Sequence, residues 1–334
     1  IEAWRDVGHA KAETAAQDLS ADHRNNTLAA SVKLNPGQKL RFGRLVITGQ
    51  ERMRERRIRK IAGLPEGEVF SPLELRRATE RLRRTGIFKS VSLTEDEVVT
   101  VPDQLGITAT LVEEKLRRYS IGAEIASFDG LNLTGSWLHR NLLGGGERLG
   151  FSAEVTNIGA QASGVDYALG VTLDRPATLS PDTNASFHFD IAHLDEQDFI
   201  ANTVSTGIGF SHIFNEQLSA SVGLDYEYSD GSDEAGNFLY RNLSLPLGVV
   251  WDKRDNKTDA TKGFYLEAEA KPFLGFGTTD SGARLTFDGR AYRGFGENNG
   301  VVFAARLQGG AILGSSLEGT PRDFLFYTGG GGTV

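Results

Sequence analysis

The stretch LSASVGLDYEY, Leu218 to Tyr228, decides the fold. Leu218, Ala220, Val222, Leu224, Tyr226 and Tyr228 fall on one face of an extended chain, and Ser219, Ser221, Gly223, Asp225 and Glu227 fall on the other. Side chains of a strand point alternately to its two sides, so a period of two makes one face apolar and the other polar. The strand is also long: about ten residues cross a bilayer at a tilt, whereas strands of soluble proteins average about five or six.

The same alternation extends in both directions. Leu149, Phe151, Ala153 and Val155 alternate with small or polar residues, as do Val165, Tyr167, Leu169 and Val171. Further strands read at Phe187–Ile191, Leu239–Trp251, Phe264–Ala270, Ala283–Ala291 and Val301–Leu313, giving about eleven from Arg118 onward. So many long, one-sided strands predict an antiparallel transmembrane β-barrel over a secreted sandwich. Tyr226, Tyr228, Tyr240, Trp251 and Phe264 are expected near strand ends, where aromatic girdles mark the membrane interface. Short turns are expected at Asn141–Gly146 and Phe214–Gln217, and longer polar loops at Ser229–Asn237 and Thr278–Gly282.

Upstream of Arg117 the periodicity changes. Lys39–Thr48 reads as a strand closed by Gly49, and Arg54–Ala62 as a helix broken by Gly63, Pro65 and Gly67. Ser71 and Glu74 form a capping-box pattern around Pro72, Leu75, Ala78 and Leu82 recur at helical spacing, and Gly86 supplies the stop. Phe88–Thr94 and Leu105–Glu113 follow as strands, which gives the order β-α-α-β-β. A shift of 78 residues aligns Glu2 with Glu80, Arg5 with Arg83, Gly8 with Gly86 and Lys11 with Lys89. Residues 1–38 are therefore expected to be the last helix and two strands of a preceding copy, 39–116 a complete copy, and 117–334 an incomplete barrel.

Composition narrows the chemistry. The 334 residues carry no cysteine, which removes disulfides, thiolate metal sites and cysteine nucleophiles. The 36 basic against 44 acidic residues leave a net charge of −8, with no global attraction to nucleic acid or an anionic membrane. Between Glu51 and Lys89 there are 12 basic and 6 acidic side chains, read as a solvated helix surface or a docking face for an acidic partner. His9, His23, His139, His188, His193 and His212 lack metal-ligand spacing. Asp252 and Asp255 flank Lys253 and Arg254, as in a salt-bridged turn rather than an acid/base pair. Gly144–Gly146 and Gly329–Gly332 lack the Lys-Ser/Thr of a phosphate loop. No catalytic residue, cofactor or metal is expected.

RFGRLVITG at 41–49, GLPEGEVF at 63–70 and RRTGIFKSV at 83–91 resemble POTRA modules. RRYSIGAEI at 117–125, RNLLGGGERL at 140–149, WDKRDN at 251–256 and KGFYLEAE at 262–269 resemble the barrel of the same outer-membrane superfamily, that of BamA, TamA and the surface antigens. NPGQKLRFG at 35–43 looks most like the TamA-type members. The resemblance implies an α+β POTRA module followed by a transmembrane barrel, located in the outer membrane with its POTRA units in the periplasm. It also implies that the barrel continues past Val334 by roughly five strands and an arginine-bearing luminal loop.

The functional expectation combines this resemblance with strand physics. A weakly closed barrel seam leaves a first strand whose main chain can pair with an incoming strand. The lateral-gate strand is expected to present Tyr119, Ile121, Ala123 and Ile125. Asn141, Gly144, Gly146, Asp252, Arg254, Asp255 and Gly263 form the motif turns, and Gly49, Gly63, Gly67, Gly86 and Phe88 are structural positions of the POTRA unit. The reading is an assembly factor that inserts or secretes outer-membrane proteins such as autotransporters. Its expected partners are unfolded outer-membrane substrates, outer-membrane lipid and a TamB-like protein anchored in the inner membrane. The alternatives are a two-partner secretion transporter or a BamA-type general insertase, and, less favoured, a passive porin.

Overall fold

The computed structural model describes residues 1–326 apart from Thr100 and Ala235; the glycine run at 329–332 lies outside the described residues. The chain divides into two compact units, one of residues 1–116 with 143–146, the other of 117–142 with 147 onward.

The first unit starts with α1 (Glu2–Asp6) and a two-stranded antiparallel hairpin of β1 (Glu13–Asp22) and β2 (Thr27–Asn35). There follow β3 (Arg41–Thr48), α2 (Glu55–Ala62), α3 (Pro72–Arg84), β4 (Phe88–Glu95) and β5 (Gln104–Glu113). Their sheet runs β3-β5-β4, with β3 parallel and β4 antiparallel to the central β5. Alternation on β5 buries Leu105, Ile107, Ala109 and Leu111, and the helices bury Ile58, Ile61, Ala78 and Leu82. Each large apolar side chain so buried contributes about 1.5–3 kcal/mol. Pro72 opens α3 after Ser71, and Gly86 (φ 65) follows its end. The capping box does not form: Ser71 makes no side-chain cap bond, and Glu74 pairs with Arg77 at 2.5 Å instead. The nearby guanidinium outcompetes the backbone N–H.

Among the described residues the second unit is one antiparallel sheet of twelve strands. In order they are β6 (Arg117–Ala126), β7 (Gly130–Arg140), β8 (Arg148–Ile158), β9 (Asp166–Arg175), β10 (Thr183–Asp195) and β11 (Phe199–Ile213). Then come β12 (Leu218–Asp233), β13 (Gly236–Ser244), β14 (Leu247–Asp252), β15 (Lys262–Gly275), β16 (Gly282–Phe295) and β17 (Val301–Leu313). The expected strand Leu239–Trp251 is split at Leu245-Pro246, which turns eleven strands into twelve; β13 and β14 share the neighbours β12 and β15 and so fill one position. Proline has no N–H to donate. At the break the ladder is patched by Gly223 N–H to Pro246 O and Leu245 N–H to Pro272 O, both 2.9 Å.

The expected loop at Ser229–Asn237 is largely strand. Ser229–Asp233 continue β12 and pair with Phe199–Thr203. Polar composition there marked solvent, and strand pairing satisfied the backbone regardless. Tyr226 and Tyr228 consequently lie inside β12 rather than near its end. Tyr240 is only 2% exposed, its hydroxyl donating to Glu318 O at 2.9 Å, so it is no girdle residue. Trp251 does stay exposed, edge-on to Phe264 with ring centroids 5.1 Å apart.

Candidate functional site

β6 stands at one end of the sheet and β17 at the other; among the described strands β6 pairs only with β7. Its register sets Tyr119 opposite Trp137, Ile121 opposite Gly135, Ala123 opposite Leu133 and Ile125 opposite Leu131. All four expected gate residues therefore share one face, and three are strongly exposed: Tyr119 69%, Ile121 93% and Ile125 83%. Ser120, Gly122 and Glu124 lie on the opposite face. The run Ser120 to Ala123 holds three small residues, so there the strand has little side-chain surface with which to hold a neighbour and pairing resides mainly in main-chain hydrogen bonds.

The two motif turns lie at the end of the sheet where β6 begins, because Arg117 pairs with His139, Arg140 with Arg148, and Leu218 with Trp251. Between β7 and β8, Asn141 (φ 65), Gly144 (φ 75) and Gly146 (φ 90) make the turn, and Leu142 N–H donates to Glu147 O at 2.8 Å. After β14, Asp252 accepts from Arg254 Nε at 2.9 Å and Nη2 at 2.8 Å, and the guanidinium lies over the Tyr265 ring at 5.0 Å. Asp255 accepts from the backbone N–H groups of Asn256, Thr261 and Lys262 at 3.0, 3.0 and 3.1 Å and from the Thr261 hydroxyl at 2.6 Å. The Thr261 hydroxyl foremost, then the N–H groups, hold its carboxyl down at about 2. Both carboxylates are thus occupied in shaping the turn. Gly263 (φ 104) closes it, where a Cβ would sit 2.1 Å from Lys253 O.

Gly49 (φ 81) passes so close to β5 that a Cβ would meet Leu111 O at 2.1 Å. Gly63 and Gly67 have φ of 57 and 83, and Phe88 is buried. Glu113 at the end of β5 was not singled out from sequence. Its Oε1 accepts from the N–H groups of Glu51, Arg52 and Met53 at 3.0, 2.9 and 2.9 Å. Burial pushes this carboxyl up, but the three donors and the Arg52 charge outweigh it and hold it below the usual glutamate range.

Sequence reasoning also missed the segment after β17. Residues 315–326 lie on the polar face of the sheet: Phe324 is 1% exposed, packs edge-on against Phe273 with centroids 5.0 Å apart, and carries Lys271 Nζ 4.2 Å from its ring centroid. Arg284 Nε donates to Phe324 O at 3.0 Å, and Arg322 pairs with Asp233. Asp280 accepts from Ser316 N–H at 2.9 Å and Ser316 Oγ at 2.6 Å. The apolar Phe324-Leu325-Phe326 run after the last periodic strand was the available signal. The polar face also holds Asp288, gripped by Arg290 and Arg306 at 2.7 and 2.8 Å. No cluster of metal-ligating side chains occurs among the described residues.

Residues 141–334 match the Omp85 superfamily domain, and residues 40–114 match the POTRA family described as surface antigen variable number repeat. The chain is 25% identical over 98% of its length to the outer membrane protein assembly factor BamA of Nitratidesulfovibrio vulgaris, and 23% identical over 84% to BamA of Neisseria meningitidis serogroup B. It spans 41% and 34% of the length of these relatives. Its fold resembles the crystal structure of Haemophilus ducreyi BamA lacking POTRA domains 1–3, with a TM-score of 0.70 at 16% identity over 99% of this chain and 66% of that one. CdiB from Escherichia coli has a TM-score of 0.59 at 11% identity, over 94% and 60%.

Proposed function

Because the chain belongs to the Omp85 superfamily, we propose that it serves outer-membrane protein assembly by offering β6 as a template for an incoming strand. Its barrel sheet lies in the outer membrane, with the POTRA region in the periplasm. The observation that carries the reading is the first strand itself, whose central run Ser120-Ile121-Gly122-Ala123 holds three small residues and so leaves pairing there mainly to the main chain. The unfolded client supplies a β-strand, and exchange of one ladder for another costs little because each step replaces a hydrogen bond with an equivalent one.

In this reading residues 39–116 form a complete POTRA unit, 1–38 the end of a preceding one, and 117–334 part of the barrel. The order helix, strand, strand in residues 1–38 supports it, as α1 ends at Asp6 and α3 at Arg84, a separation of 84 − 6 = 78 residues, the same as the sequence repeat. Both relatives matched by sequence are named as BamA assembly factors, which favours general insertion over a task restricted to autotransporters. A TamB-like partner belongs to the narrower task and is tested by co-purification with the full-length protein.

The experiment is insertion of an unfolded outer-membrane protein into vesicles containing the full-length protein, followed by the heat-modifiable mobility of the client. The proposal predicts faster folding than in empty vesicles, and slower folding with Ile121→Pro, which removes a backbone donor from β6. Equal rates in empty and loaded vesicles contradict it.

A further inference from the structure

We infer that the outer face of β7–β10 carries a site for one acyl chain of a glycerophospholipid from the periplasmic leaflet. A cavity of about 530 Å³ opens on that face, lined by Gly135, Trp137, Phe151, Ala153, Leu169 and Phe189 among others. Ligand pockets span roughly 300–1,000 Å³, so this one is of binding size. It arises from side-chain volume. Register sets Gly135 beside Ala153 and Ala153 beside Leu169, so two small residues sit between larger ones. Trp137 and Phe151, their centroids 5.4 Å apart, form a wall at the next position on the same face.

Location selects the occupant. The POTRA region precedes β6 and is periplasmic, so the Arg117 end of β6 and the paired Arg140 end of β7 are periplasmic. Gly135 is the sixth of eleven residues in β7 and Trp137 the eighth, which places the cavity from mid-membrane towards the periplasmic side. At that depth the surrounding medium is hydrocarbon, and the lining offers it almost no polar group. Lipid tails are as apolar as leucine, so no hydrophobic force distinguishes one part of the outer wall from another. Shape does. A chain in a groove gains dispersion contacts on several sides, whereas on a convex wall it touches one. Register also puts Ile121 of β6 directly beside Gly135, so the held chain lies next to the first strand.

The test reconstitutes the full-length protein with a phosphatidylethanolamine bearing a mid-chain diazirine, irradiates it, and maps labelled residues by mass spectrometry. Val222 and Leu224, exposed on the apolar face of β12 four to six residues from its periplasmic end, are the reference at equal depth. Labelling of Trp137, Phe151 and Leu169 is expected at about fivefold the reference, because a chain in contact on several sides resides longer. Ala153→Phe, which fills the cavity, is expected to bring it down to the reference level while Val222 and Leu224 are unchanged. Equal labelling of both faces in the unaltered protein overturns the site. Labelling by a diazirine-bearing lipopolysaccharide alone overturns the choice of leaflet. Absence of label everywhere would contradict the membrane barrel itself, a distinguishable failure.

Discussion

At the residue scale, a few carboxylates hold runs of backbone N–H groups in place. Glu113 is ionised against three N–H groups, and its lowered pKa fixes the sign of its effect: its contribution is complete above the unfolded-state value of about 4.3 and is lost as pH falls through the lower folded value. Glu113→Gln should cost about 1 kcal/mol at neutral pH, since it leaves one weaker acceptor for three donors. Amide exchange at Glu51, Arg52 and Met53 should quicken in that variant; unchanged exchange would contradict the assignment. Asp255 follows the same rule, with its support for the turn present above about pH 4 and fading towards about 2. Gly49→Ala should destabilise the POTRA sheet by about 1–3 kcal/mol, from the positive φ and the approach to Leu111 O, seen as lost exchange protection in β3 and β5. The glycine positions were readable because glycines after strands and helices have few other uses. The role of Glu113 was not, because its three donors are about 60 residues away in sequence.

At the scale of elements, alternation told most of the story and polarity misled at strand ends. LSASVGLDYEY read correctly because its two faces differ in chemistry. The Ser229–Asp233 continuation did not, because strand length there is set by pairing with β11 rather than by its own composition. The two faces of β12 make opposite predictions. Leu224→Arg puts a charge into hydrocarbon and should cost about 2–4 kcal/mol, lowering the yield of heat-modifiable protein. Ser221→Arg points to the polar face and should leave that yield unchanged. The docked segment after β17 is held chiefly by Phe324, and Phe324→Ala should accelerate hydrogen exchange across residues 315–326 while sparing β12 and β15. Loss of protection in the strands as well would make that side chain part of the sheet's core rather than an anchor for the segment.

For the whole molecule, the change of hydrophobic period from helical to two made an α+β region followed by a β-sheet legible in the sequence, and the resemblance of its motifs supplied the POTRA-plus-barrel reading. It could not carry the topology of the sheet end or the lipid-facing cavity, which depend on register between strands far apart in sequence. The central claim is that β6 templates incoming strands. The 334 residues contain no cysteine, so in the full-length protein, with any cysteine outside them replaced by serine, single cysteines at successive positions of β6 are crosslinked to single cysteines in the terminal strand of a stalled outer-membrane client, the most direct measurement of strand pairing. The account predicts crosslinks in one antiparallel register, strongest at alternate positions such as Ile121 and Ala123, with none from matched positions on β11. Crosslinks spread evenly over both strands, or confined to β11, would contradict it.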